Sequence, residues 1–392
     1  MTKSFHPPLR TLMGPGPSDV NPRVTAAIGA PTIGHLDPAF VTLMDEIKHL
    51  LQYTFKTSNR LTIPISAPGS AGMEACFVNL LEPGDKAIVC QNGVFGGRMK
   101  ENVERCGATA IMVQDAWGEP VDLQKVEDAF KANPGVKLLA FVQAETSTGA
   151  RSDAKALTAL AHKFGSLSLV DSVTGVAGIE LDVDGWGIDA IYSGTQKCLS
   201  CPPGLSPVSF GERAVEVIKN RKTKVQSWFL DMGLIMAYWA GDGARTYHHT
   251  APVNSMYGLH EALVILKEEG LENSWARHAF HHSALAAGVE AMGLSFVVPK
   301  AARLPQLNSI TVPVGVKEAD VRARLLKDYN LEIGAGLGAL AGKVWRIGLM
   351  GESACATNVL LCLGALDAIL SDMKAPINSG KAVAAAQAVY NK

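Results

Sequence analysis

Between about residues 60 and 210, short apolar runs alternate with helix-period segments, and this alternation restricts the possible fold more than any other feature of the chain. The strand-like runs are Lys86–Cys90, Thr109–Val113, Lys137–Val142, Leu167–Val170, Ile188–Tyr192 and Pro207–Phe210. Amphipathic stretches such as Val121–Lys131 and Asp153–Phe164 lie between them. Strands that alternate with helices build βαβ units, and hence a mainly parallel sheet covered on both faces. Ligands of such sheets gather at the carboxyl ends of the strands. Polar residues stand at several of those ends: Glu145-Thr-Ser-Thr-Gly149, Asp171 and Lys197.

A second unit follows a long helical segment, about Gly258 to Leu285. It contains Leu307–Val312, Tyr329–Ile333 and Lys343–Ile347, flanked by helices, and reads as a smaller α+β domain. The 392 residues are enough for two or three domains. There is no internal repeat and no low-complexity linker.

Charge limits the partners. The 36 basic and 37 acidic residues nearly cancel and form no blocks, which argues against nucleic acid or an anionic membrane surface. No segment reaches the roughly 18 uncharged apolar residues of a membrane span; the run from Leu360 to Leu370 is interrupted by Asp367. The N-terminus resembles neither a signal peptide nor a transit segment, and the C-terminus is not a Ser-Lys-Leu address. Seven cysteines without paired spacing suggest reduced thiols and a cytoplasmic setting. Cys198-x-x-Cys201 has no second pair to complete a zinc site, and His248-His249 is not a metal motif, so no metal is expected.

The chemistry centres on Tyr192-Ser-Gly-Thr-Gln-Lys197-Cys198, with Cys201-Pro-Pro-Gly204 close behind. For an arbitrary lysine the alternative is a surface loop. At the end of a buried strand, however, an ammonium is unfavourable unless chemistry requires it. Lysine forms Schiff bases with carbonyl compounds, pyridoxal phosphate (PLP) above all, and burial shifts it towards the reactive neutral amine. Three further features converge on Lys197. Asp171 ends a very apolar strand and needs a cationic partner, which in a PLP site is the pyridinium nitrogen; a helix N-cap is the other reading. Ser66-Ala-Pro-Gly69-Ser70 leads into a helix whose N-terminus can cradle a phosphate. Arg346, on an alternating run, can grip a carboxylate with two parallel hydrogen bonds, or can form a surface ion pair. A competing motif, Gly334-Ala-Gly336-Leu-Gly-Ala339, fits the dinucleotide fingerprint. That fingerprint requires a helix next, and here a strand follows, so the run reads as a flexible Gly-rich loop beside the site.

Taken together, Gly14-Pro-Gly-Pro-Ser18, Val170-Asp171-Ser-Val173, Tyr192-Ser-Gly-Thr-Gln-Lys197, Pro202-Pro-Gly204, Arg245-Thr-Tyr247-His-His-Thr250, Glu269-Gly-Leu-Glu-Asn-Ser274 and Gly342-Lys-Val-Trp-Arg346-Ile-Gly resemble the class V, fold type I, PLP-dependent aminotransferases, and within them the alanine–glyoxylate and serine–pyruvate enzymes. The similarity runs in order from about residue 10 to about residue 370.

The resemblance implies an α/β fold: a large PLP-binding domain with a mainly parallel seven-stranded sheet over residues 21–270, and a smaller C-terminal α+β domain over 271–392. Residues 1–20 would be an N-terminal segment contributing to the active site and to a dimer. It further implies that Lys197 holds PLP and shuttles the substrate proton, that Asp171 pairs with the ring nitrogen, and that Val173 and Phe95 pack on opposite ring faces. Ser147 would reach the phenolic oxygen side and the substrate. Gly69, Ser70 and Gln196 would hold the phosphate, helped by Tyr247 and Thr250 of a partner subunit in an obligate homodimer. Arg346 would bind the substrate carboxylate in a pocket lined by the Gly14–Pro17 loop (Gly16 included), Gly34 and His35. The sequence departs from the family at Pro68, where a polar residue is usual, and at Ser70, where His or Thr is common.

The expected activity is a ping-pong transamination from alanine or serine to glyoxylate or pyruvate, because only one carboxylate-binding arginine is evident. 3-Hydroxykynurenine, ureidoglycine and pyridoxamine transaminases of the same family are alternatives. A PLP-dependent lyase or cysteine desulfurase is another, and needs a mobile catalytic cysteine. A non-catalytic PLP-fold protein is disfavoured by the presence of both Lys197 and Asp171.

Overall fold

The computed structural model describes residues 2–239 and 245–392. Its central sheet has seven strands in the order Leu61–Ile65, Ser206–Phe210, Ala190–Tyr192, Leu167–Asp171, Leu138–Val142, Lys86–Gln91 and Thr109–Gln114. All neighbouring pairs are parallel except those of Ser206–Phe210, which runs antiparallel to both of its neighbours. Strands Leu138–Val142 and Leu167–Asp171 are buried along their whole length, as expected for parallel strands covered on both faces. Thr109–Gln114, at the sheet edge, is mostly half-exposed.

The connections follow local chemistry. Asp122 accepts hydrogen bonds from the backbone N–H groups of Gln124 and Lys125, and Asp153 from that of Ala156, which starts the helices Leu123–Ala132 and Ala154–Lys163. The segment read as one long helix is two, Val253–Glu269 and Leu271–Ala291. Gly270 separates them with φ +88°, a conformation glycine adopts without the steric penalty of a side chain.

The strand Leu61–Ile65 carries no strand signal in the sequence reading. Pro64 interrupts it, and the structure places it on the sheet edge, with Pro64 opposite Pro207. A strand with a proline is tolerated at such an edge.

A small antiparallel sheet combines Leu307–Thr311, Val344–Gly348 and Gly334–Ala335. The glycine-rich run is therefore partly a strand, with Gly334 opposite Arg346, followed by the single 3₁₀ turn Gly338–Leu340. No helix opens there, so the dinucleotide reading fails on geometry. Two large apolar cores form. One surrounds the central sheet, and the other joins Met13 to residues between Ala284 and Ala386.

The N-terminal segment ties these units together. Thr11–Leu12 pairs in parallel with Leu331–Glu332, and Gly348 N–H donates to Met13 O at 2.7 Å. Farther on, Ser18 N–H donates to Gln196 O at 3.0 Å and its hydroxyl to Lys197 O at 2.7 Å. The chain thus crosses from the small sheet onto the backbone around Lys197. Among the described residues no helix is long and apolar enough to cross a membrane.

Candidate active site

The site grows from the carboxyl end of the central sheet. Asp171 is the last residue of its strand and lies beside Tyr192 in the parallel register. Its Oδ1 accepts the Val173 N–H at 2.9 Å, and its Oδ2 accepts the Tyr192 hydroxyl at 2.7 Å. The local bond to Val173 caps a turn, not a helix. Burial pushes the Asp171 carboxyl up to about 6, against the pull of Tyr192, Val173 and Lys197. A cation delivered to this carboxylate reverses that shift.

Lys197 follows the next strand. Its Nζ donates to Pro15 O. Burial and the nearby Arg346 lower it to about 8, with Cys198 and Asp171 opposing. Pro15 belongs to the N-terminal segment, so that segment forms the wall against the lysine. Gly16 adjoins it with φ +102°, and a β-carbon there would lie 2.6 Å from Lys197 Nζ. The pocket-lining residue of the sequence reading is thus the one that leaves room for the lysine.

Beside this pair begins the helix Gly69–Leu80. A β-carbon on Gly69 would approach Ser193 O at 3.4 Å and Val173 Cγ2 at 3.5 Å. The helix terminus therefore packs directly on the Val173 turn. The cap position is Pro68, with no side-chain cap. Ser70 is exposed at the same terminus, and the first N–H groups of a helix are free for an anion. Gln196 Oε1 is buried without a hydrogen-bond partner.

Phe95 sits in the first turn of the helix Val94–Arg105, with the Arg98 guanidinium 4.9 Å from its ring centroid. Ser147 Oγ accepts the Val94 N–H at 3.0 Å and donates to Glu145 Oε1 at 2.6 Å. Arg346 closes the site from the small sheet. It is 6% exposed, and its Nε and Nη1 donate to Ala335 O at 2.7 Å and Thr146 O at 3.0 Å. Burial lowers it to about 10. Among the described residues it has no carboxylate within ion-pair distance.

The remaining predicted residues form a second group. The ring centroids of His35 and Tyr247 are 5.4 Å apart, and the Tyr247 hydroxyl lies 3.4 Å from Thr250 Oγ1. Gly34 is exposed. Next to them, His249 Nε2 meets Ser66 Oγ at 2.7 Å, which places this group on the turn just before the helix of Gly69.

Tyr192 and Glu145 stand within quoted motifs but had no role in the sequence reading. Tyr192 ends the strand adjacent to that of Asp171, a signal that only the strand order makes usable. Cys198 and Cys201 are buried, and burial pushes both thiols up to about 12. Neither is poised as a thiolate nucleophile.

The residues present fit PLP: a buried carboxylate for the ring nitrogen, a buried lysine held towards neutrality, and a helix terminus packed on the Val173 turn. Fold and site together define a PLP-dependent α/β enzyme of fold type I. The chain belongs to the class V aminotransferases, whose family model matches residues 24–350. Alanine–glyoxylate aminotransferase of Callithrix jacchus is 42% identical over 368 residues, covering 93% of this chain and 89% of that one. The crystal structure of an alanine–glyoxylate aminotransferase from Nostoc sp. is 44% identical with a TM-score of 0.92, covering 94% of this chain and 97% of that one. The ureidoglycine–glyoxylate aminotransferase of Bacillus subtilis is 38% identical with a TM-score of 0.96, and the match covers 100% of both chains.

Proposed function

We propose that this aminotransferase moves the amino group of alanine or serine to glyoxylate or pyruvate by a ping-pong cycle. The observation that carries the reading is Arg346, a buried guanidinium bonded only to carbonyls. Among the described residues no carboxylate lies within ion-pair distance of it, Glu145 acting only from farther off, and a substrate α-carboxylate supplies the direct partner. A dicarboxylate such as glutamate calls for a second cation of this kind. Lys197 serves the cofactor, and the His35 ring lies tilted against Tyr247. The names of the Callithrix and Nostoc relatives support glyoxylate as acceptor.

When bound, PLP supplies the electron sink that stabilises negative charge at the substrate Cα. The chain supplies the rest. Asp171 keeps the ring nitrogen protonated, while Phe95 and Val173 hold the ring between them. Gly69, Ser70 and Gln196 hold the phosphate. Lys197 Nζ, biased towards its neutral form, would take the proton from the substrate Cα and deliver it to C4′ of the cofactor.

The active unit is a homodimer in this reading. Tyr247 is 58% exposed and Thr250 is exposed, so both are free to reach the phosphate of a second subunit. Trp228, 63% exposed and stacked on His248 at 4.5 Å, offers apolar surface alongside. In the same reading residues 1–20 are the segment that reaches the active site and the dimer, 21–270 the large domain and 271–392 the small one, in a cytoplasmic enzyme.

A second reading, ureidoglycine as amino donor, is favoured by the full-length match to the Bacillus enzyme. Titrating alanine, serine, glutamate and ureidoglycine singly into the PLP-loaded protein, while following the cofactor's visible absorption band, separates the two, because bleaching by ureidoglycine alone supports the second. Bleaching by alanine and serine, with glutamate inert, is expected. Bleaching by glutamate at comparable concentration overturns the small-monoacid reading.

A further inference from the structure

Glu145 is fully buried at the end of the hairpin strand Ala144–Glu145. Its Oε1 accepts the Ser147 N–H at 2.9 Å and lies 2.6 Å from Ser147 Oγ, whereas Oε2 is buried with no hydrogen-bond partner. The carboxyl occupies space that only glycine at position 93 leaves open. A β-carbon there would run into Glu145 Cδ and lie 2.5 Å from Ser147 Oγ. Room for an acid has thus been made beside the serine expected to reach the phenolic oxygen side of the cofactor.

The bonds of Ser147 make the protonation state of that acid consequential. A hydroxyl has one hydrogen and two lone pairs. One lone pair takes the Val94 N–H. If Glu145 is ionised, the hydroxyl hydrogen goes to Oε1 and nothing remains to donate elsewhere. If Glu145 is a neutral acid, its own hydrogen fills the second lone pair, and the serine hydrogen is released to another acceptor. An ionised Glu145 also places a charge in a fully buried site, with only the Ser147 and Phe95 N–H groups as backbone donors to it, which is unfavourable.

We propose that Glu145 is a positioning residue: as a neutral acid it donates to Ser147 Oγ and turns the serine hydrogen out towards the phenolic oxygen of the cofactor, and as a carboxylate it draws that hydrogen back. The inference rests on the reading of Ser147 as a cofactor contact. The charged and titratable groups around Glu145 come from three elements. Asp171, at the end of its sheet strand, disfavours its charge, while Tyr192 on the adjacent strand stays neutral beside it. Arg346, from the small sheet, favours it. Burial is the largest influence and pushes the carboxyl up to about 7. The proton exchanges with solvent, and Ser147 changes only the direction of its bond.

The test uses PLP-loaded wild type, Glu145→Gln, Ser147→Ala and the double variant. A glutamine oxygen at Oε1 accepts both Ser147 donors at every pH and so mimics the carboxylate. In wild type the cofactor's visible band should titrate near pH 7, and infrared difference spectra below that pH should contain a protonated-carboxyl band. In Glu145→Gln both features should vanish and kcat should fall about tenfold, the equivalent of one hydrogen bond. Ser147→Ala should lose about as much, and the double variant no more. A band in Glu145→Gln that titrates as in wild type, or losses that multiply in the double variant, overturns the inference while leaving Ser147 a cofactor contact. An unchanged spectrum and kcat in Ser147→Ala overturns the reading beneath it. Should Glu145→Gln fail to fold, Ser147→Ala alone decides. Its protonated-carboxyl band should shift because the acid has lost its acceptor, and an unshifted band rules the proposal out.

Discussion

The Tyr192 hydroxyl donates to Asp171 Oδ2 at 2.7 Å, between two strand ends that are neighbours in the parallel sheet. The carboxylate thus keeps its charge in a buried position before any ring nitrogen arrives. Tyr192→Phe removes that donor, so Asp171 rises further above its ordinary range. One hydrogen bond to a charged group contributes about 1.5–3 kcal/mol. Affinity of the apoprotein for PLP should therefore fall about tenfold or more, as read by absorbance titration. Undiminished affinity would show that Tyr192 does not support the ring-nitrogen partner.

Lys197→Met should abolish transamination, and its pH behaviour carries a sign. The lysine's pKa falls from 10.5 to about 8 on folding. Between those values the unfolded chain binds more protons than the folded one, so the wild-type apoprotein gains stability as pH rises through this window. Below it, the buried ammonium costs about 3 kcal/mol, at 1.36 kcal/mol per pKa unit. The variant apoprotein should melt above wild type at pH 7, and the gap should close by pH 10.5. A gap that widens with pH would contradict the burial argument. Detectable turnover would end the assignment of Lys197.

Gly16→Ala puts a methyl group 2.6 Å from Lys197 Nζ at a φ of +102°. The lysine must move or the N-terminal segment must lift. Either displaces the amine from the cofactor's reach, so borohydride trapping of PLP on Lys197 should drop well below wild type. Equal trapping in both proteins would mean that the segment does not form the wall described.

Arg346→Ala should raise KM for every α-amino acid, because the lost contact is common to all of them. Two charge-assisted bonds of about 1.5–3 kcal/mol each correspond to an increase of roughly a hundredfold or more. Arg346→Lys should rescue little, since a point charge cannot reproduce both the bonds to Ala335 and Thr146 and a paired grip on carboxylate. A change confined to one substrate would remove Arg346 from the role of common clamp.

Much of this site was legible because parallel sheets collect polar residues at the carboxyl ends of apolar strands. Asp171 and Lys197 stand out against such strands even without coordinates. What stayed hidden depended on pairing across long sequence distances. The two-residue strands Thr11–Leu12 and Leu331–Glu332 are too short to show periodicity, so the bridge from the small sheet to Lys197 left no local trace. Tyr192 acquires its role only from its register with Asp171, and Glu145 from the space above Gly93. Leu61–Ile65 was obscured by Pro64, which is harmless at an edge and misleading when read as a breaker. Gly270 looked like one residue of a continuous helix, although its positive φ ends one helix and begins the next.

Pro68 caps the helix Gly69–Leu80 without a side-chain bond, leaving the helix terminus proposed to hold the phosphate with one N–H and one hydroxyl fewer than a serine there would provide. Pro68→Ser restores both. A single added bond to a phosphate contributes about 1.5–3 kcal/mol, so PLP should bind about tenfold tighter. Stability should change little, because a serine cap contributes about 1 kcal/mol and loss of the proline gives back about 0.4–1 kcal/mol through the freer unfolded chain. Pyridoxal without its phosphate is the control, and its affinity should stay the same. Equal tightening of both compounds would place the effect on the ring instead of the phosphate. No tightening of PLP would mean that the helix terminus at Gly69 is not where the phosphate sits.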